Sequence, residues 1–282
     1  MNLCKINSYA KINVSLGVLG RLKSKLHKIE SLVSLINLHD DIHIKKINSK
    51  SHKIKFFGKF SNNIPKNNTV TNLLKILDNN KKLKNQKYLI KINKKIPQKS
   101  GMGGGSMNAA FIIKYLINYK KLNLNSKEIF NIASKIGSDV ILGLQNKSFI
   151  DYKSTKFIKI NKNLKFFVIL AKPSFGCSTK KIYKGVKSFS KPILKKNKLN
   201  KLNYKFISNL KNDLEAPAFR KYSALENLKI FMEKLENVLF VRMTGSGSTM
   251  VGYFNSKKAA VNAGKILKKK YKNYWCILSK TI

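Results

Sequence analysis

Residues 97–110 read Pro97-Gln98-Lys99-Ser100-Gly101-Met102-Gly103-Gly104-Gly105-Ser106-Met107-Asn108-Ala109-Ala110, with four glycines inside five positions. An alternating run, Tyr88-Leu-Ile-Lys-Ile-Asn, precedes it and an apolar stretch over 109–116 follows, so the segment joins a strand to a helix. Glycine tolerates positive φ and lets a backbone come close to an anion, and the first N–H groups of the following helix carry partial positive charge. This is a phosphate-cradle layout, although a tight connection with no ligand has the same composition. Ser106 and Asn108 fall where a helix cap is expected, available to backbone N–H groups or to a ligand.

Two common cradles are excluded by spacing. The P-loop pattern needs a lysine followed by Ser or Thr directly after its second glycine, and none follows here. The dinucleotide fingerprint Gly-x-Gly-x-x-Gly does not fit the intervals of Gly101, Gly103 and Gly105.

Outward from the loop, the chain of 282 residues is long enough for two domains, and 43% hydrophobic residues can fill their cores. The apolar runs, such as 166–171, are far too short for a membrane span, and the N-terminal residues show no signal-peptide core, so a cytoplasmic protein is expected. Cys4, Cys177 and Cys276 are too few and too scattered for a disulfide framework or a Cys-x-x-Cys metal site. His39 and His43 stand at i,i+4, but Asp40-Asp41 before Ile42-His-Ile-Lys reads as a turn into a strand, which separates the rings.

Net charge is +46, from 58 Lys+Arg against 12 Asp+Glu. Such a surplus suits a nucleic-acid binder. The lysines are nevertheless spread along the chain and travel with asparagine and isoleucine, the residues an A+T-rich coding sequence imposes. Non-specific adhesion to nucleic acid at low salt is expected on either account.

In chain order, residues 9–16 alternate and predict a strand whose one face carries Lys11, Asn13 and Ser15; alone, that face reads as a solvated one. Residues 41–57 read as a hairpin of two alternating strands, and apolar positions 70, 73, 74 and 77 predict a helix. A helix opened by a Ser126 cap is expected to run to Ile136, stopped by Gly137. Asp139 then follows a Gly-Ser turn and precedes an apolar run. Among the twelve carboxylates it is the one whose setting suits a partly desolvated base, with capping of the next helix as the alternative. Asp213 and Glu215 look like a capping arrangement. Residues 166–173 read as a buried strand, 187–205 as a lysine-rich loop or loosely held helix, 238–254 as strand, glycine turn and strand, and 256–271 as an amphipathic helix; a domain boundary falls near residue 160.

Together, the Lys11-x-Asn13 strand, the Pro97-x-x-x-Gly101-x-Gly103-Gly104-Gly105-Ser106 loop and the Thr244-Gly245-Ser246-Gly247 turn resemble, in order and spacing, the three motifs of the GHMP kinases (galactokinase, homoserine kinase, mevalonate kinase, phosphomevalonate kinase). The resemblance covers essentially the whole chain. Ser8-Tyr-Ala-Lys-Ile-Asn, the Gly-Gly-Gly-Ser-Met-Asn-Ala-Ala form of the loop and Gly137-Ser-Asp139-Val140 look most like the branch that phosphorylates the C2 hydroxyl of a cytidyl-linked methylerythritol in the non-mevalonate isoprenoid pathway.

The resemblance implies an α+β fold with an ATP-binding N-terminal domain (1–160), a C-terminal domain (161–282), a site in the cleft between them and a left-handed βαβ crossover, against the usual handedness. It implies ATP and Mg²⁺ as cofactors, Asp139 as general base and Lys11 as its cationic partner. ATP-binding positions are Pro97, Lys99, Gly101, Gly103, Gly104, Gly105, Ser106 and Asn108, with Asn67 on the adenine side and Ser106 reaching Mg²⁺. Substrate-side positions are Asn13, His27, Thr244, Gly245, Ser246 and Gly247, with the His27 ring suited to stacking on cytosine. The expected assembly is a monomer or weak dimer, without a membrane partner. The family commonly has Asp-Gly-Tyr-His where this chain has Lys23-Ser-Lys-Leu-His27, so one aromatic contact to the base is missing. Alternatives are a kinase for homoserine or a mevalonate-type acceptor, and a basic nucleic-acid binder on an inert kinase fold.

Overall fold

The computed structural model describes residues 3–22, 27–120, 122–145, 149–152, 156–159, 165–194 and 203–282. Its elements, in chain order, are β1 (Cys4–Asn13), β2 (Gly17–Arg21), β3 (His27–Ile47), β4 (Lys53–Phe57), α1 (Thr69–Asn79), β5 (Lys87–Asn93), α2 (Gly104–Lys120), α3 (Ser126–Ile136), α4 (Ser138–Gly143), β6 (Phe149–Tyr152), β7 (Lys156–Lys159), β8 (Phe167–Lys172), α5 (Thr179–Lys184), α6 (Tyr204–Asn209), α7 (Glu215–Lys221), α8 (Ser223–Glu233), β9 (Phe240–Met243), β10 (Met250–Phe254), α9 (Lys257–Lys270) and β11 (Trp275–Lys280). They form two compact units that interleave along the sequence. The first comprises Met1–Lys11, Leu38–Gln98 and Gly103–Asn146; the second comprises Ile12–Asn37, Lys99–Met102 and Lys147–Ile282.

In the first unit, β5 lies between the C-terminal half of β3, antiparallel from Asp41↔Asn93 to Ile47↔Lys87, and β4, parallel from Lys53↔Leu89 to Phe57↔Asn93. The expected hairpin over 41–57 is therefore corrected. Both strands form, but a third strand far along the chain is inserted between them, and α1 supplies the crossover that a parallel pair requires. Helix α1 starts where Asn68 accepts the N–H groups of Val70 and Thr71 and Thr71 Oγ1 receives the Asn68 N–H, a reciprocal capping box. Its Val70, Leu73, Leu74 and Leu77 are buried, as are Ile112, Ile113 and Leu116 of α2. Each such side chain contributes about 1.5–3 kcal/mol by leaving water. Helix α3 is capped by Asn125 rather than Ser126: Asn125 Oδ1 accepts the Glu128 N–H and Glu128 Oε2 the Asn125 N–H.

Asp40 and Asp41 are not in a turn. They lie inside the 21-residue strand β3, and Asp40 is fully buried. Local polarity suggested a break, but buried partners described below satisfy that carboxylate.

In the second unit, β11, β8, β10 and β9 form an antiparallel sheet in that order, with registers such as Met250↔Ala171, Met250↔Met243 and Ile277↔Leu170. Leu225, Leu228 and Met232 of α8 and Ala260, Ala263 and Leu267 of α9 join Ile169, Val241, Met243 and Phe254 in one core. Gly252 of β10 leaves the space that Met232 needs, since a Cβ there would stand 3.2 Å from its terminal methyl. The same unit contains β2 paired with the start of β3 (Gly17↔Glu30, Arg21↔His27) and the β6–β7 hairpin.

Asp213 and Glu215 do not cap. Asp213 Oδ2 accepts the Val18 N–H at 2.7 Å; Glu215 accepts the Met243 N–H at 2.7 Å and Lys229 Nζ at 2.6 Å. They fasten helix-side segments to strands, which a local pattern does not reveal. The lysine-rich stretch has no regular structure over 187–194, where Ile193 and Leu194 donate their N–H groups to Glu30 Oε1, and its described end at 203–205 enters α6. Residues 195–202 and 23–26 lie outside the described residues.

Candidate active site

The first unit holds Lys11, Asp139 and the helix end of the glycine loop. Lys11 closes this unit's share of β1 and is 4% exposed, so the solvated-face reading fails; Asn13 and Ser15 are also buried. Its Nζ stands 3.5 Å from Asp139 Oδ2, whose side chain is 35% exposed. Asp139 is the second residue of α4, directly after the Gly137 stop. A buried amine facing a partly exposed carboxylate leaves that carboxylate oriented and reachable by ligand.

Glycine at 103 is required by this pair. Its φ is +69°, and a Cβ would lie 3.3 Å from Lys11 Cγ and Cε and 3.4 Å from Asp139 Oδ2. Helix α2 begins at the next residue, so Gly104, Gly105 and Ser106 form its first turn, and the Met107 N–H bonds the Gly103 carbonyl at 2.8 Å. Ser106 and Asn108 consequently lie inside the helix instead of capping it. The buried Asn108 Oδ1 has no hydrogen-bond partner among the described residues. Thr69 Oγ1 donates to the Gly105 carbonyl at 2.7 Å, tying the start of α1 to the loop's helix, and Asn67 is exposed two residues earlier. Pro97 is buried and leads in from β5.

The second unit holds Asn13, His27, Lys99, Gly101 and the Thr244 turn. Thr244 Oγ1 receives the Asn13 N–H at 3.0 Å and donates to the Gly101 carbonyl at 3.2 Å. One hydroxyl thus joins two of the sequence motifs. Gly101 has φ +75°, and a Cβ there would stand 2.0 Å from the Thr244 carbonyl oxygen. Lys99 is exposed with φ +48°. The turn closes through Gly247 N–H to the Thr244 carbonyl and Thr244 N–H to the Thr249 carbonyl, each at 3.0 Å. Ser246 Oγ is 2.9 Å from Thr179 Oγ1.

Several supports were not read from the sequence. Asn212 Nδ2 donates to the carbonyls of Met243 and Gly245 at 2.7 and 2.8 Å, holding the turn from outside. Asn13 Nδ2 donates to Ser31 Oγ at 2.8 Å, and Ser31 passes on to the Ser15 carbonyl. Polar residues with buried, non-local partners carry no periodic signal. His27 lies against Tyr183, ring centroids 4.8 Å apart at 34°. Burial first, and then the Arg21 guanidinium, hold its pKa below the ordinary histidine value, so the ring is neutral at pH 7. Its buried Nε2 has no hydrogen-bond partner among the described residues.

A buried lysine on a carboxylate beside a glycine-started helix can place an anion next to a base, and the chain as a whole is similar to known proteins. The GHMP kinases N terminal domain matches residues 68–152, and the GHMP kinases C terminal domain matches 194–273. A 4-diphosphocytidyl-2-C-methyl-D-erythritol kinase of Pelagibacter ubique is 51% identical over 282 residues, all of both chains. The chain belongs to the 4-diphosphocytidyl-2-C-methyl-D-erythritol kinase family. The kinase of the same name from Clostridium tetani is 32% identical over 99% of this chain and all of its own. Among solved structures, a 4-(cytidine 5'-diphospho)-2C-methyl-D-erythritol kinase superposes with a TM-score of 0.80 at 21% identity, covering 99% of each chain. A Cytophaga hutchinsonii homoserine kinase gives 0.69 at 16% identity, covering 100% of this chain and 95% of its own, and shares the α+β fold. As a member of this family the chain is an ATP-dependent small-molecule kinase. Among the described residues no helix is long and apolar enough to cross a membrane.

Proposed function

We propose that this kinase phosphorylates the C2 hydroxyl of 4-diphosphocytidyl-2-C-methyl-D-erythritol, with Asp139 as the base. The observation that carries the reading is the Lys11–Asp139 pair at 3.5 Å beside Gly103 and the start of α2. Asp139 accepts the proton of the attacking hydroxyl. Lys11 keeps the carboxylate aimed and offsets negative charge on the phosphoryl in flight. The bare backbone of Gly103, Gly104 and Gly105 admits phosphate oxygens to the N–H groups opening α2, where the helix dipole favours them. Pro97, Lys99 and Gly101 shape the entry to that cradle, Asn108 and Asn67 complete the nucleotide contacts, and ATP supplies the transferred group. Mg²⁺, when bound with ATP, would supply charge neutralisation on the phosphates, and the Ser106 hydroxyl in the first turn of α2 would be the protein oxygen to hold it.

On the acceptor side, Asn13 and the Thr244-Gly245-Ser246-Gly247 turn hold the methylerythritol end. His27, with Tyr183 beside it, offers a ring face and an unengaged buried nitrogen to cytosine. In this reading the N-terminal kinase domain gives way to the C-terminal one near residue 160 of the sequence, a position that the gap between the matched ranges supports. The reading includes a cytoplasmic setting, a monomer or weak dimer, and loose polyanion adhesion at low salt, supported by the +46 charge.

The test is ADP release with Mg-ATP and the cytidyl acceptor in moderate salt, with homoserine and mevalonate as competitors. Asp139→Asn should lower kcat by roughly 10²–10⁴, the size of a general-base contribution, with ATP affinity nearly intact. An unchanged rate in that variant refutes the assigned base.

A further inference from the structure

We propose that Asp40 is a positioning residue for ATP: it grips the chain where β5 runs out into the glycine loop and so sets the cradle against α2. The β3–β5 ladder ends at the Asp41↔Asn93 pair. Beyond it the N–H of Lys94 bonds the Phe57 carbonyl at 2.7 Å, and the next two N–H groups have no strand opposite them. Both go to one carboxylate oxygen: Asp40 Oδ1 accepts the Lys95 N–H at 2.8 Å and the Ile96 N–H at 2.9 Å. The other oxygen, Oδ2, accepts Lys94 Nζ, itself buried. One side chain therefore satisfies three donors on three consecutive residues, and its own charge is balanced by one of them.

The gripped segment is what the first residue of α2 rests on. A Cβ built at Gly104 would stand 3.1 Å from Ile96 Cγ2 and 3.4 Å from Lys94 Nζ. Moving residues 94–96 outward removes the wall behind the Gly103–Ser106 backbone, and misplacement of about 1 Å is enough to cost on the order of 10²-fold in a positioned reaction. Asp40 acts through this backbone and touches no reacting atom. The inference rests on the reading that the glycine loop carries ATP.

Steady-state kinetics on the full chain test it, with Asp40→Ala and the neutral pair Asp40→Asn/Lys94→Gln. Asp40→Ala should raise KM for ATP by about tenfold or more while KM for the cytidyl acceptor stays within about twofold. The neutral pair keeps a carbonyl oxygen for the two N–H groups and should recover most of the loss. Both KM values moving together, neither moving, or the pair behaving like Asp40→Ala would each overturn the proposal. Should Asp40→Ala not fold, amide exchange in the unaltered protein decides. Lys95 and Ile96 N–H groups protected like those within β5 support the grip, and exchange at the free-peptide rate ends it. Failure of the kinase reading is distinct, since it appears as absent turnover in the unaltered enzyme.

Discussion

Replacing Gly101 by alanine probes the joint between two motifs. Two costs add. A φ of +75° is unfavourable for an L side chain by about 1–2 kcal/mol. The new Cβ would also meet the Thr244 carbonyl oxygen at 2.0 Å, far inside contact, and that neighbour is backbone with no rotamer to yield. Overpacking of this kind costs about 1–3 kcal/mol. Gly20→Ala is the internal control: its φ is +153°, and nothing lies within 4 Å of the added carbon, so it carries the backbone cost alone. Together, Gly101→Ala should lose about 2–5 kcal/mol, which at roughly 2–4 °C per kcal/mol lowers Tm by ~4–20 °C. Relief of the clash also stretches the 3.2 Å Thr244 Oγ1 to Gly101 carbonyl bond, so kcat/KM should fall about 10²-fold where Gly20→Ala leaves it near the original value. Calorimetry and ADP release on the two variants make the comparison. Equal Tm losses, or full activity in Gly101→Ala, would refute the reasoning.

Glu215→Ala removes the acceptor of the Met243 N–H and the partner of Lys229, and it should cost about 3–5 kcal/mol, read by urea denaturation; a loss below 1 kcal/mol speaks against a buried anchor. Acid should weaken the protein through His52. Its Nδ1 accepts the Tyr88 N–H at 3.1 Å while Nε2 faces Asp78 at 3.1 Å, so the ring is held neutral. Burial lowers its pKa, against the opposing pull of Asp78, and the net shift is downward. A lowered folded-state pKa means this stability is complete above the unfolded value of 6.5 and is lost as pH falls through the folded one. His52→Gln should flatten that part of the pH–stability curve, and an identical slope in both proteins excludes the residue.

The motif residues were legible because each combines a special backbone need with a chemical group. Glycines at 101 and 103 adopt φ values of +75° and +69°, and Lys11 and Asp139 meet as an ion pair. Helices α1, α3 and α9 and strand β5 follow from periodicity because burial on one face imposes it, whereas β8, β9 and β10, and α2 over most of 107–116, are buried at nearly every position and show as apolar runs bounded by glycine or proline. Strand partners are another matter. Alternation identified 42–47 and 53–57 as strands, yet each pairs with β5, a choice made by the helix that returns between them. The same non-locality hid Asp40, Asn212, Asp213 and Glu215. A polar residue that bonds backbone far along the chain looks, in sequence, like one that turns or caps. Conversely Lys11 and Asn13 looked solvated only because the residues covering them are distant in sequence.

The interleaving of the two units has a consequence for synthesis. Residues 12–37, which include Asn13 and His27, leave the ribosome long before the stretch from 147 onward with which they share a unit. Gly101 waits in the same way for Thr244. A message truncated after residue 147 releases a chain whose early strands have lost the rest of their own unit. A fragment carrying residues 147–282 alone brings a Thr244 hydroxyl with neither of its two partners. Neither half of the gene is a cassette that recombination could move intact.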